Sequence, residues 1–135
     1  MILFVDSDVL LDVILIRKPH FNTSVEITEL ANDPNYMLCA SVHSLLNIHY
    51  AVKKVSGEKI ARQSIAVLIR KLKVIKEDAD TIEQAIDSNF SDFEDAVQYY
   101  AAISARADII ITRNTKDYKQ ASIPVLTAEQ FLKTL

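Results

Sequence analysis

SDFEDAVQYYAAISARADIIITRNTKD, from Ser91 to Asp117, is the stretch whose reading decides the fold. Its first half places Ala96, Tyr100, Ile103 and Ala107 at helical spacing, the mark of an amphipathic helix. Acids crowd the start of that helix: Asp92, Glu94 and Asp95. After Asp108 the β-branched run Ile109-Ile110-Ile111-Thr112 reads as a short strand. A polar loop follows and closes on Asp117. In a parallel sheet flanked by helices, ligands bind in the crevice at the carboxyl ends of the strands. Thr112, Arg113, Asn114 and Asp117 are therefore expected at a crevice, with Asp95 facing it from the helix.

The rest of the chain alternates in the same way. Ile2 to Val5 is a continuous apolar run, as in a strand buried on both faces, and Asp6-Ser7-Asp8 follows at once. Val9-Leu10-Leu11 and Val13-Ile14-Leu15 predict a helix that ends before Pro19. A second helix is expected over Ser24 to Ala31, stopped by Asp33-Pro34-Asn35, and Tyr36 to Ala40 predicts a strand. Ser41 caps a helix that runs to about Val55. Beyond Ser56-Gly57, a long amphipathic helix is expected over Glu58 to Leu72, with Ile60, Ala61, Ile65, Leu68 and Ile69 inward. Val74-Ile75 is a short strand, and Asp78 or Asp80 caps the helix through Ile82, Ala85 and Ile86. Pro124-Val125-Leu126 is the last strand; Thr127 caps a terminal helix with Phe131 and Leu132 inward. This order implies a three-layer α/β/α architecture, a mostly parallel sheet of about five strands with helices on both faces. At 135 residues, half of them hydrophobic, a single domain over 1–135 with a sizeable core is expected.

Composition narrows the function classes. With 15 basic and 18 acidic residues the formal net charge is -3, unlike a protein that holds nucleic acid by bulk charge. Acids in excess suit a site that takes a divalent cation, which inverts the local field. One cysteine, Cys39, excludes an internal disulfide, reads as core packing and fits a reducing cytoplasm. Met1 to Val5 lacks the basic start of a signal peptide, and no apolar run approaches the ~20 residues of a membrane span. A single glycine, Gly57, excludes glycine-rich phosphate loops.

Each acid has two readings. Asp6 ends the first strand, where it serves as a helix N-cap and as a metal ligand at the sheet edge. Asp8 lies one step into the helix, where the dipole accommodates a carboxylate without further purpose. Ser91-Asp92-Phe93-Glu94 is a capping-box pattern with Ser91 at the N-cap, which accounts for Glu94. Asp92 and Asp95 share a helical face; Asp95 is the better inner ligand, and Asp92 is divided between ligand and cap. Asp117 and Asn114 sit in a loop unusually dense in short polar side chains. Oxygen donors of this kind suit Mg²⁺ or Mn²⁺. His20, His43 and His49 offer no zinc spacing and read as surface or half-buried residues. Such a carboxylate set activates water toward a phosphodiester. Arg113 and Lys116, and further off Arg17, Lys18, Lys53 and Lys54, are the cations expected to steer nucleic acid.

These segments together resemble the PIN-domain family, the fold of the toxin ribonucleases of bacterial toxin–antitoxin pairs. The resemblance runs from FVDSDVLLD (Phe4 to Asp12) through SVHSLLNIHY (Ser41 to Tyr50), DFEDAVQYYAA (Asp92 to Ala102) and IITRNTKDY (Ile110 to Tyr118) to IPVLTAEQFL (Ile123 to Leu132). It implies a metal-dependent endoribonuclease acting on RNA with Mg²⁺ or Mn²⁺, a homodimer, and a small antitoxin partner. It implies Asp6 as the first metal ligand, Asp95 as the acid of the late helix and Asp117 as the acid after the fourth strand. Ser7 and Thr112 match hydroxyl residues of the family pattern. Two positions depart from it. Asn47 stands where many relatives carry glutamate, and Asn114 where many carry aspartate, although the subgroup most resembled often has asparagine at both. The lost charge predicts weaker metal affinity or a displaced metal. The apolar stretches Leu10 to Ile16 and the long helix around Ile65 are candidate partner surfaces.

Three other readings compete. Asp6-Ser7-Asp8-Val9 resembles the D-x-D motif of haloacid-dehalogenase-type phosphatases, but the later acids precede the fourth strand on a helix. A receiver domain has the right length, yet Val74-Ile75 leads into Lys76-Glu77 and lacks its aspartate. A PIN fold that binds RNA or protein without cutting is the third, on the strength of Asn47 and Asn114.

Overall fold

The computed structural model describes residues 1–135. Its centre is β1 (Ile2–Val5), whose Leu3, Phe4 and Val5 have no solvent exposure. β1 pairs in parallel with β2 (Met37–Ser41) on one side and with β4 (Ile109–Ile111) on the other. β3 (Lys73–Ile75) extends the β2 side and β5 (Val125–Leu126) the β4 side, giving the order β3-β2-β1-β4-β5. All pairings are parallel. The chain builds one half of the sheet outward from β1, then returns to build the other, so β1 and β4 flank a topological switch point. Crevices open at the carboxyl ends of strands at such points.

Side-chain alternation along β1 divides the interior in two. Leu3 and Val5 face a core formed with α1 (Ser7–Ile14), α2 (Phe21–Glu29), α3 (Val42–Ser56), α4 (Glu58–Lys71) and α7 (Ala128–Leu132). Phe4 faces the opposite core, with Cys39, Ile110 and the Tyr99, Ala101 and Ala102 side of α6 (Phe93–Ser104). α5 (Ala79–Ile86) packs beyond it through Ala85 against Ala96 and Val97. The three layers expected from the sequence are thus present. Burial drives the Cys39 thiol up to about 12, in keeping with an inert core residue.

Helix starts follow short polar caps. Ser41 accepts from Ser44 N for α3, Asp78 from Thr81 N for α5, and Thr127 with Gln130 forms a capping box for α7. Between α3 and α4, Gly57 adopts φ +87, a conformation that costs glycine least, and its N–H closes α3 on Lys53 O.

Two expectations are corrected. The N-cap of α6 is Asp92, not Ser91: Asp92 is extended and its carboxylate accepts from Asp95 N at 3.0 Å. A charged acceptor offsets the helix N-terminus better than a hydroxyl, and Glu94 is left free of the capping box. On α4, Ala61 and Leu68 are buried, but Ile60 and Ile69 are 45% and 51% exposed rather than inward. α4 packs chiefly against α3, and that narrow seam does not reach those two side chains.

Candidate active site

Asp6 is placed by both of its neighbouring elements. Its backbone N–H donates to Ile111 O at 2.9 Å, continuing the β1–β4 ladder, and its side chain caps α1 by accepting from Ser7 N at 2.7 Å. The Ser7 hydroxyl stands 3.5 Å from the same Oδ1. Oδ2 accepts from Thr112 Oγ at 2.9 Å and from the Tyr118 hydroxyl at 3.4 Å. Cap and site residue are therefore one role. Burial raises the pKa of Asp6, and these four bonds only partly oppose it. The same burial, together with the nearby Asp6, Asp95 and Asp8 charges, raises Tyr118 and keeps its hydroxyl a donor.

Asp8 turns toward the same place rather than to solvent. Its Oδ2 accepts from Asn114 Nδ2 at 3.2 Å and from Arg113 N at 3.3 Å. Burial, then the Asp6 charge, pushes its pKa up to about 7, with Arg113 pulling the other way. The Arg113 guanidinium lies 3.9 Å from Asp8 Oδ2 and 3.3 Å from Oδ1 of Asp12. Asp12 is fully buried, ion-paired also with Arg17 at 3.0 Å, and 3.4 Å from the Ser24 hydroxyl. Arg113 and Arg17, expected to steer nucleic acid, are instead held by acids of the protein itself.

Two helices complete the walls. From the first turn of α6 comes Asp95, raised to about 6 by burial and by the charges of Asp92, Asp117, Asp6 and Glu94. From α3 come His43, whose Nε2 is 3.4 Å from Glu94 Oε2, and Asn47, 3.2 Å from the same nitrogen. Buried Gln98 ties the two helices together: Ser41 Oγ donates to its Oε1 at 2.9 Å, and its Nε2 donates to Ser44 Oγ at 2.8 Å. Gln98→Leu is expected to cost about 1–3 kcal/mol in urea unfolding, because buried hydroxyls lose their partner. A change within a few tenths of a kcal/mol would mean that the Ser41–Ser44 pair satisfies itself.

The result is a hollow of ≈ 170 Å³ with no apolar residue in its lining. Asp6, Ser7 and Asp8 line it from β1 and α1, His43 and Asn47 from α3, Glu94, Asp95 and Gln98 from α6, and Asn114 from the loop after β4. Asp6, Ser7, Asn47, Asp95 and Asn114 were candidates from the sequence, and the fold gathers all five. Thr112 supports them from behind through Asp6. Asp92 is engaged as the α6 cap. Asp117 stands exposed on the 3-10 turn Thr115–Tyr118, outside the lining, and reaches the hollow through its charge on Asp95. Asp8, His43, Glu94 and Gln98 were not read as site residues. For Glu94 and Asp8 an ordinary helix-start role explained the residue type, and nothing local distinguished His43.

The donors fit a hard divalent cation in kind: carboxylates, hydroxyls and amide oxygens. Two buried side-chain oxygens in the molecule have no partner, and one of them is Oδ1 of Asp8, a residue that lines this hollow. As placed, no three acidic, histidine or cysteine side chains are close enough to enclose one ion. A cation would have to draw the carboxylates inward; burial first and mutual repulsion second disfavour the charged forms of Asp95 and Asp8, and a positive charge among them relieves both.

The family model described as PIN domain matches residues 3–116. The chain belongs to the PIN-domain family. This PIN domain is 29% identical over 133 residues to Ribonuclease VapC1 of Aquifex aeolicus, covering 95% of this chain and 91% of that protein. Among solved structures it is similar to VapBC-1 from nontypeable Haemophilus influenzae, with TM-score 0.70 and 15% identity over 96% of this chain and 99% of that one. It is also similar to a toxin–antitoxin complex from Klebsiella pneumoniae, with TM-score 0.69 and 22% identity over 93% and 96%. The structural likenesses speak to the fold alone: the sheet and helices of this PIN domain are similar to those of the matched chains.

Proposed function

We propose that this PIN-domain protein is a metal-dependent endoribonuclease and the toxin of a toxin–antitoxin pair. The observation that carries the reading is the convergence of Asp6, Asp8, Asp95 and Asn114, from three separate stretches of chain, on one wholly polar hollow at the switch point of the sheet. Family membership and the similarity to Ribonuclease VapC1 support the same chemistry. Asp6, Asp95 and Asp117 are the proposed catalytic acids, with Asp92 a reserve ligand at the rim. These acids would hold Mg²⁺ or Mn²⁺, which when bound would supply Lewis acidity toward a phosphodiester and lower the pKa of water. Ser7, Thr112 and Tyr118 fix the Asp6 carboxylate in orientation. Asn47 and Asn114 offer neutral amides to the substrate, and His43, which lines the hollow beside Glu94 and Asn47, is a further proposed substrate contact. Lys116, exposed on the turn after β4, is the remaining cation of that loop for the RNA backbone.

The partner surfaces follow from two hollows lined mostly by apolar side chains, with Val67 exposed at the rim of the first. Leu10, Val13 and Ile14 of α1 meet Val67 and Leu68 of α4 around an apolar hollow of ≈ 270 Å³, where we place the antitoxin. These are the two stretches the sequence marked for partners. Leu46 on α3, Ile82 on α5 and Phe93 on α6 line a second apolar hollow, and Leu46 and Phe93 are 64% and 50% exposed. We place the homodimer contact there. No helix is long and apolar enough to cross a membrane.

The test is incubation of the purified protein with structured and single-stranded RNAs under Mg²⁺, Mn²⁺ or chelator, beside Asp6→Asn. Cleavage that needs metal and vanishes in the variant is the expected outcome. Asn47 and Asn114 in the hollow favour one other reading, a PIN fold that binds without cutting. Retained RNA binding with no cleavage under any metal would select it.

A further inference from the structure

We propose that Asp8 is a metal-ligating carboxylate of this site, binding the divalent cation through Oδ1 beside Asp6 and Asp95. The inference rests on the metal-dependent reading above and adds a residue that the helix-start pattern had explained away. Its first support is a count of lone pairs. A carboxylate has about four acceptor positions. Asp6 takes a short bond on each oxygen, from Ser7 N and Thr112 Oγ, and its longer contacts, Ser7 Oγ at 3.5 Å and Tyr118 OH at 3.4 Å, leave room for a cation. Asp8 uses only Oδ2, and its Oδ1 is buried without a partner. A buried polar atom left unpaired is destabilising, which makes such an atom a candidate for a partner that binds from outside the chain.

The second support is how Asp8 is held. Arg113 N and Asn114 Nδ2 fix Oδ2 from the loop after β4. The Arg113 guanidinium is anchored in turn by buried Asp12. Partners on one oxygen orient a ligating carboxylate and leave the other to the metal. The Asp8 side chain is only 16% exposed, so ordinary solvation does not account for it. The third support is position: Asp8 lines the hollow together with Asp6 and Asp95, whereas Asp117 does not. Asn47 faces the same hollow from α3 only as a neutral amide, so Asp8, from the α1 wall, is the carboxylate that completes the set with Asp6 and Asp95.

Mn²⁺ binding to the full chain, followed by loss of the free-ion electron paramagnetic resonance signal, tests this without reference to activity. Asp8→Asn keeps the shape and the Oδ2 acceptor, and is expected to weaken Mn²⁺ binding by about tenfold or more. Asp80→Asn, which removes an exposed acid on α5, is expected to leave it unchanged. Asp8→Cys gives a second, direct readout. Cd²⁺ prefers thiolate, so this variant is expected to show a sulfur-to-cadmium charge-transfer absorption that the parent, with Cys39 buried, lacks. Undiminished Mn²⁺ affinity in Asp8→Asn overturns the inference, as does absence of Mn²⁺ binding by the parent. If Asp8→Asn does not fold, a missing cadmium band in Asp8→Cys overturns it. RNA cleavage scored on the same preparations separates the two levels. Asp8-dependent Mn²⁺ binding without cleavage removes the ribonuclease reading alone. Metal-dependent cleavage with parent-like Mn²⁺ binding in Asp8→Asn removes this inference alone.

Discussion

Asp95→Asn is expected to lower metal-dependent RNA cleavage by about 10²–10³-fold, the loss typical of one preorganised electrostatic group, while raising the melting temperature of the metal-free protein. The two effects have one origin. Asp95 is pushed up to about 6 by burial and by four neighbouring carboxylates, so its ionised form is disfavoured in the fold unless a cation joins it. The amide has nearly the same shape and removes the repulsion. The cap of α6 survives, because Asp92 accepts from the backbone of residue 95 and not from its side chain. A site that stores repulsion for a ligand trades stability for activity in this way. Cleavage kinetics in Mn²⁺ and a thermal melt in chelator check both halves. Activity and melting temperature falling together would identify Asp95 as a structural acid and sink the argument.

That opposition of signs also explains what the sequence could disclose. The strands were legible because each is a short apolar run ended by a polar residue. The order of the sheet was not legible, because an apolar run does not say which strands will flank it. Asp6, Thr112 and Asn114 were legible for the same reason as the strands: each stands where a strand ends. Asp8 was not. Its spacing on α1 is that of any first-turn acid, and only Asn114, 106 residues away, reveals which way it turns. The ion pairs of Arg113 were hidden for a related reason. In sequence it is a loop cation beside Lys116, but Asp12 has no solvent exposure and draws the guanidinium inward. A long-range ion pair leaves no local signal. Ile60 and Ile69 show the converse. Their helical spacing is sound, but periodicity names a face without saying whether the chain or a partner covers it.

Without metal, the protein is expected to lose stability as pH rises from about 4 to about 7.5. Asp6, Asp8 and Asp95 are all raised, the first direction being set by burial in each, with Asp8 at about 7 and Asp95 at about 6. A carboxyl group raised in the fold holds its proton where the unfolded chain has released it. The folded state therefore binds more protons between the ordinary carboxylate range and the raised values, and stability declines with pH across that window. Asp78, lowered by its Thr81 bonds, and Glu58, lowered by His49 and Arg62, have the opposite slope. Both are lowered, so their change falls below the window and does not cancel it. The fall in melting temperature between pH 5 and pH 7.5 is expected to be on the order of 5–10 °C in chelator. Mn²⁺ is expected to restore most of it at pH 7.5 and little at pH 5. Protons and cation compete for the same oxygens, and a ligand stabilises only the state that binds it. Asp6→Asn is expected to flatten the profile, since it removes one of the three groups and relieves Asp8. Melting curves over this pH range, with and without Mn²⁺, decide the matter. A profile that is flat in chelator, or one that Mn²⁺ shifts equally at both ends, would mean the acids of the hollow are not held against one another.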